Sequence, residues 1–248
     1  MEELNGAIID LSHYNPNPDF ALARSAGIMA VIHKATEGTS FVDPAYSSRH
    51  VSATGAGLLW GAYHFGTCAD GTEQARFFLE KTEPDASVLV ALDCETNPSG
   101  PSMTLPQARD FVTYIQSVTG RWPGLYGGDY LKQLLDGAKD PVLAQCWLWL
   151  AQYGSSAVVP PNWNDLTLWQ YTDAAEVPGI GRCDCSRFRG SEQELIAFWL
   201  PGELGNRGPA GELRRERDSA EPPLASRAHQ HRDPLRRELR LESLRPDV

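Results

Sequence analysis

The chain has 248 residues, 42% of them hydrophobic, and a formal net charge of −10 at pH 7. A chain of this length and composition can bury a sizeable core. Residues 203–248 carry ten arginines and nine acidic residues, so the acidic excess lies in residues 1–202. An acidic folded region argues against a nucleic-acid-binding protein, which requires a basic face.

The amino-terminal stretch MEELNGAIID has neither the basic region nor the long apolar region of a secretory signal peptide. No stretch approaches the roughly 18 consecutive apolar residues of a membrane span. We therefore expect synthesis in the cytoplasm without a signal peptide. The five cysteines have irregular spacing, which predicts free thiols rather than a disulfide framework.

Short apolar runs separated by amphipathic stretches predict eight strands along the chain. The runs are AIIDL (7–11), MAVIHK (29–34), LLWGAYHF (58–65), VLVALD (88–93), GLYGG (124–128), CWLWLAQY (146–153), LTLWQYT (166–172) and, more weakly, RCDCSRF (182–188). Several of them are apolar without alternation, which is typical of strands covered on both faces.

Helical patterns fall between the early strands and become sparse after residue 140. The predicted helices are Pro18–Ala26, Pro44–Ala56 with Asp43 as N-cap, Gly71–Lys81, Leu105–Thr119, Asp129–Asp136 and Glu192–Leu200. Strands that alternate with helices predict a parallel sheet, and eight of them in about 200 residues predict an α/β barrel.

The last part of the chain differs in composition from the rest. Residues 203–248 contain no Trp, Tyr, Phe, Ile or Cys. Such a segment buries too little apolar surface to offset its ordering entropy, so we expect an Arg-rich disordered tail. An amphipathic helix over Asp233–Leu244 is the alternative. We expect the folded domain to span residues 1–202.

Carboxylates occur at the ends of predicted strands. Asp93 ends the run VLVALD, and Glu95 follows two residues later on the same side of the chain, with Cα atoms about 6–7 Å apart. Asp10 ends the first run, and Asp184 lies in the last. The first and last strands of a closed barrel are neighbours, which predicts that Asp10 and Asp184 meet and face the Asp93–Glu95 pair across the mouth.

This arrangement suits glycosidic cleavage. Retaining glycosidases use two carboxyl groups about 5–5.5 Å apart, and mutual repulsion keeps one of them protonated. A pair of acids two residues apart is a weak signal alone, because a solvated strand end or a metal pair gives the same pattern.

Seven stretches together are more specific: IIDLSHYN (8–15), VIHKATEGTSFVDPAY (31–46), GLLWGAYHFG (57–66), ALDCE (91–95), PGLYGG (123–128), LWLAQY (148–153) and LWQYTDAAEVPGIGRCDCSRF (168–188). With these stretches, in this order, the chain resembles the glycoside hydrolase family 25 lysozymes of phage, bacteria and fungi. The resemblance covers roughly residues 6–200.

The resemblance implies an irregular TIM-like barrel, (β/α)5(β)3, that hydrolyses the β-1,4 bond between N-acetylmuramic acid and N-acetylglucosamine with retention. It implies that Glu95 is the proton donor and that Asp93 is either the nucleophile or the group that orients the substrate N-acetyl. Asp10 and Asp184 match supporting carboxylates. The implied partner is peptidoglycan, acted on by a monomer at the cell wall, with no cofactor and no metal.

Two alternatives remain at the level of sequence: a peptidoglycan-binding protein without activity, and a glycosidase of another N-acetylated glycan such as chitin. Cys183 and Cys185, which flank Asp184, also raise a Cys-x-Cys metal site as an alternative, although no third or fourth ligand lies nearby in the sequence.

Aromatic residues near strand ends are candidates for stacking on sugars. We expect Tyr63, Tyr126, Trp169 and Tyr171 in the groove, and Trp147 and Trp149 in the core. We expect His64 and Glu37 to be structural, and the Cys94 side chain to point away from the mouth.

Overall fold

The structure is a computed structural model that describes residues 6–201. The predicted tail, residues 203–248, lies outside the described residues. Among the described residues, no helix has both the length and the apolar character that crossing a membrane requires.

Nine strands and six α-helices are formed by the described residues. In chain order they are β1 (Ala7–Leu11), α1 (Phe20–Ser25), β2 (Ile28–Glu37), β3 (Phe41–Val42), α2 (Tyr46–Gly55), β4 (Leu59–Phe65), α3 (Gly71–Thr82), β5 (Leu89–Asp93), α4 (Leu105–Thr119), β6 (Gly124–Gly127), α5 (Asp129–Leu135), a 3₁₀ turn (Leu143–Gln145), β7 (Trp147–Ala151), β8 (Leu168–Val177), β9 (Gly181–Phe188) and α6 (Glu192–Trp199). All eight predicted strands are present, and the two-residue β3 was not predicted.

Eight of the strands close into a barrel. The strand order is β1-β9-β8-β7-β6-β5-β4-β2, and β1 also pairs with β2, which completes the ring. Strand β3 is attached to β2 outside the ring. Five strand–helix units are followed by three strands without helices between them, so the predicted (β/α)5(β)3 barrel is confirmed.

One barrel strand departs from the predicted parallel sheet. Strand β9 runs antiparallel to both β8 and β1. Only three residues connect β8 to β9, whereas a parallel pair needs a crossover of about a dozen or more. Asp184 therefore lies in the middle of its strand, and its prediction as a strand-end residue was wrong.

The strands place side chains in two cores. The outer core lies between the strands and the helices, and includes Leu92, Phe78 and Phe111. The inner core fills the barrel, and there α6 closes the amino-terminal ends of the strands by inserting Trp199, whose indole nitrogen donates to the Trp60 carbonyl at 2.8 Å.

Side-chain caps or capping boxes begin four of the six described helices, whereas α2 and α5 begin without one. Thr104 and Gln107 form a capping box at α4, and Ser191 and Glu194 form another at α6. Helix α2 begins at Tyr46 rather than Pro44, and the predicted N-cap Asp43 instead accepts hydrogen bonds from the backbone of His13 and Ala45.

Candidate active site

A cavity of about 100 Å³ opens at the carboxyl-terminal end of the barrel. Its walls are formed by Asp10, Tyr63, Asp93, Glu95, Tyr126, Trp149 and Asp184. The fold thus brings together all four carboxylates singled out from the sequence, and two of the four aromatic residues.

The backbone at the end of β5 directs two acids into this cavity. The Cys94 N–H donates to the Tyr126 carbonyl at 2.9 Å, which continues the pairing with β6 one residue beyond the strand. Asp93 and Glu95 therefore point to the same side. The Cys94 side chain points to the outer core, as predicted, and its burial beside the two acids raises its thiol pKa to about 12.

Asp10 and Asp184 face the pair from neighbouring strands. The two residues are directly opposite in the β1–β9 pairing, and their carboxyl groups share a hydrogen bond. Burial raises the pKa of Asp10 well above its usual value, and the charge of Asp184 adds to this effect. The shared hydrogen bond favours the protonated form of Asp10 and the charged form of Asp184.

Burial also dominates the protonation of the central pair. The Asp93 pKa is raised well above its usual value by desolvation first and by the Glu95 charge second, and Lys34 opposes the rise. The Glu95 pKa is raised by desolvation and then by Asp184. Asp93 is 5% exposed, whereas Glu95 remains partly open to solvent. One proton shared by this pair is held to a higher pH than an isolated carboxyl would hold it.

Gln170 is a site residue that the sequence reasoning missed. Its amide nitrogen donates to Asp10 Oδ2 at 2.9 Å, and its amide oxygen accepts from the Tyr126 hydroxyl at 2.9 Å. Gln170 is 1% exposed, so it links two strands on opposite sides of the barrel through a buried network. A polar residue between two aromatic residues in LWQYT was the available signal.

Trp149 was predicted to be core, and it is both buried and a wall of the cavity. Its indole nitrogen donates to Ser186 Oγ at 3.0 Å, and its ring meets the Tyr126 ring edge-on with centroids 4.5 Å apart. The contact fixes the Tyr126 ring beside Asp93, its neighbour in the β5–β6 pairing.

Trp169 and Tyr171 do not line the cavity, contrary to the prediction. The Trp169 indole donates to the Gln152 carbonyl at 2.7 Å, and the Tyr171 hydroxyl contacts Cys185 Sγ at 3.2 Å. Both rings belong to the outer core because Gln170, between them, takes the inward position on β8. Tyr153 was not singled out from the sequence, and the residue is 54% exposed. Partial burial raises its pKa, and the charges of Asp184 and Asp173 add to the rise. Tyr153 therefore lies near the acids of the mouth.

The buried histidine beside the site is held by structural contacts. The His64 ring lies between Thr36 Oγ1 at 2.7 Å and Gln74 Oε1 at 3.2 Å, and burial lowers its pKa to about 3. His64 is thus neutral at ordinary pH.

The cysteines are free thiols, and Cys183 and Cys185 are buried in the outer core on the side of β9 opposite Asp184. No group of three or more His, Cys, Asp or Glu side chains within residues 6–201 has the arrangement of a metal site.

A barrel of this kind with converging carboxyl groups at the carboxyl-terminal end is typical of glycoside hydrolases. Comparison with known proteins agrees. The profile of the glycosyl hydrolases family 25 matches residues 9–180. Lysozyme M1 of Streptomyces globisporus is 31% identical over 77% of this chain and 70% of its own length. The N,O-diacetylmuramidase of Chalaropsis sp is 34% identical over 66% of this chain and 87% of its own.

The crystal structure of a bacterial lysozyme from Streptomyces coelicolor superposes with a TM-score of 0.74 and 30% identity, covering 79% of this chain and 98% of that one. The chain therefore belongs to glycosyl hydrolase family 25, and it is a glycoside hydrolase of the lysozyme type.

Proposed function

We propose that the enzyme hydrolyses the β-1,4 bond between N-acetylmuramic acid and N-acetylglucosamine in peptidoglycan, with retention of anomeric configuration. The observation that carries this proposal is the convergence of Asp93 and Glu95 in one cavity, with the pKa of each raised by burial. The muramidase names of its relatives support the choice of substrate.

Glu95 is the general acid in this proposal. It is the more solvent-accessible of the two acids, so its carboxyl group can reach the glycosidic oxygen of a bound chain and, later, a water molecule. Its raised pKa keeps it protonated nearer to neutral pH, which general acid catalysis requires. After donating its proton to the leaving sugar, the Glu95 carboxylate deprotonates the water that completes hydrolysis.

Asp93 acts on the other side of the anomeric carbon. Its Oδ1 atom is buried and has no hydrogen-bond partner among the described residues. An oxygen in that state can either attack the anomeric carbon or accept the N–H of the substrate N-acetyl group, whose carbonyl oxygen then attacks. Both routes involve two displacements and give retention.

Asp10, Asp184 and Gln170 support the pair. Their hydrogen bonds connect β1, β8 and β9 on one side of the mouth and fix the Tyr126 ring on the other side through its hydroxyl. Tyr63 and Tyr126 line the cavity and supply the ring surface on which a sugar can pack.

One chain contributes every wall of the cavity, so we propose that a monomer is sufficient for activity. In this proposal the enzyme acts on the cell wall, residues 1–202 form the catalytic domain, and residues 203–248 are an accessory tail.

The test is the loss of turbidity of purified peptidoglycan, with wild type, Glu95→Gln and Asp93→Asn compared at equal concentrations of folded protein. We expect a loss of activity of about 10²–10⁴-fold in Glu95→Gln, the range that a general acid contributes. Borohydride reduction of the products should convert muramic acid, not glucosamine, to its alcohol. Nuclear magnetic resonance of the first product formed should show the β anomer.

Each other outcome identifies an alternative. New glucosamine ends would identify a different bond, and cleavage of chitin oligomers in preference to peptidoglycan would identify a different substrate. Sedimentation of the protein with cell walls, without product from peptidoglycan or chitin, would identify a peptidoglycan-binding protein without activity.

A further inference from the structure

Lys34 is a cation whose charge acts on Asp93 of the cavity. It lies on β2, two residues after Ile32 of the inner core, and so shares the inward face of the strand. Its side chain is only 11% exposed. The proposed mechanism assigns it no role, and burying an ammonium group is costly unless charged partners compensate.

Three groups hold the ammonium in one place. Glu37 Oε2 lies 2.6 Å from Lys34 Nζ, and the Phe65 and Phe41 ring centroids lie 4.8 and 5.4 Å from it. An ion pair and two ring faces confine a flexible side chain, so the position of the charge is fixed.

The strand pairing brings this position toward Asp93. Lys34 of β2 is opposite Tyr63 of β4. Two residues further along β4, Phe65 is opposite Asp93 of β5, and the Lys34 ammonium lies over the Phe65 ring. Neighbouring strands are about 4.8 Å apart, so the residue whose ring the ammonium covers lies directly beside Asp93.

The groups that act electrostatically on Asp93 are otherwise acidic. They are Glu95 beyond β5, Asp10 from β1 and Glu37 from β2, with the neutral Tyr63 from β4 and Tyr126 from β6 on its flanks. Lys34 opposes them and favours the charged form of Asp93.

This cation bears on a difficulty in the catalytic pair. Asp93 is the more deeply buried acid, so burial alone would leave the shared proton on Asp93 and the charge on Glu95. That distribution is the reverse of what the reaction requires, because Glu95 must donate a proton and Asp93 must act as an anion. A cation near Asp93 opposes that distribution, because it favours the charged form of Asp93 and is not among the groups that act on Glu95.

We propose that Lys34, held by Glu37 and Phe65, is a positioning residue that directs the proton of the catalytic pair to Glu95 by keeping Asp93 ionised. The inference rests on the proposed function, since it assigns a distribution of charge to the same two acids.

The test compares the pH profiles of kcat and KM for wild type, Lys34→Met, Lys34→Arg and Glu37→Gln. Lys34→Met keeps the length and removes the charge. We expect the acidic limb of its kcat profile to move to higher pH. Its kcat at pH 6 should fall roughly tenfold for each pH unit by which the limb moves, and its KM should change less than about threefold. Lys34→Arg should restore the limb.

Glu37→Gln supplies an opposite prediction. It removes an acid that raises the Asp93 pKa, while the Phe65 and Phe41 rings still hold the cation, so the acidic limb should move to lower pH. A merely structural role would lower stability in both variants and move neither limb. Lys81→Met, on the exposed face of α3, is the matched control and should leave the profile unchanged.

A second readout does not depend on activity. Carbon-13 titration of the side-chain carboxyl groups, with the Asp93 signal identified by its absence in Asp93→Asn, should show Asp93 titrating at higher pH in Lys34→Met than in wild type. An unchanged Asp93 titration would overturn the inference. An inactive wild-type protein would refute the proposed function instead, and the titration would still decide the role of Lys34.

Discussion

The two ends of the barrel use the same strands for different purposes. At the amino-terminal end, Leu195 and Trp199 of α6 fill the interior and pack with apolar side chains such as Leu89 and Ile32. At the carboxyl-terminal end, the continuation of the same inward faces presents Asp10, Asp93 and Glu95 to a cavity. Strand β5 shows the change within five residues, from Leu89 to Asp93. Apolar packing thus occupies one end of the barrel, and the ionisable groups of the proposed active site occupy the other.

The largest effect is expected at the closed end. Trp199→Ala removes a ring with no exposed surface and the hydrogen bond to Trp60, so we expect a loss of about 3–5 kcal/mol in the free energy of unfolding. Activity per folded molecule should stay within about twofold. Urea denaturation and turbidity assays measure the two quantities, with Trp199→Phe as the milder control. A large drop in kcat of the folded protein would show that the two ends are coupled.

Gln170→Leu tests whether stability and activity can also be changed independently within the site. The change leaves Asp10 Oδ2 and the Tyr126 hydroxyl without their buried partner, which should cost about 1–3 kcal/mol of stability. We also expect lower kcat, because the Tyr126 ring and Asp10 lose their common anchor. Gln170→Glu is the control that keeps an acceptor for Tyr126 while adding an acid. If kcat is unchanged in Gln170→Leu, the network serves stability alone.

Asp93→Asn should make the protein more stable while it removes activity. Because the folded pKa of Asp93 is raised above its unfolded value, ionisation of this group penalises the folded state at neutral pH. The variant should therefore be more stable than wild type at pH 7. The gain should shrink as the pH falls toward about 3.9, below which the carboxyl group is protonated in both states. Urea midpoints at pH 7 and pH 4 provide the measurement, and an equal difference at the two values would contradict the burial argument.

The smallest effect is expected for Tyr126→Phe. It removes only the hydroxyl that donates to Gln170 and retains the ring packed on Trp149, so the cost should be about 0.5–1.5 kcal/mol. A double-mutant cycle with Gln170→Leu should give a coupling energy of similar size. Additive effects would mean that the two side chains do not act as one network.

The strands and the carboxylates were predictable from the sequence for the same reason. Apolar runs indicate strands buried on both faces. An acid at the end of such a run, as at Asp93, is costly to bury and therefore indicates a function. The alternation of residues then placed Glu95 beside it and Cys94 on the opposite side, as found.

The orientation of β8 was not predictable by hydrophobicity. Leu168 faces the inner core and Tyr171 the outer core, so both faces of the strand are apolar and the pattern fits either orientation. The sequence analysis predicted that Trp169 and Tyr171 face the groove. In the structure, the Gln170 side chain between them points inward. Its two partners lie 44 and 160 residues away, so the reason for its burial is tertiary.

The antiparallel pairing of β1 with β9 has a consequence for synthesis. Asp10 is made early, but its partners Gln170 and Asp184 belong to the last two barrel strands. The cavity is therefore incomplete until nearly the whole barrel has left the ribosome, and contacts over such long sequence separations form slowly. Under the proposed function, a nascent chain carries these acids without the arrangement that catalysis requires, so the order of translation itself delays the appearance of hydrolytic activity during synthesis.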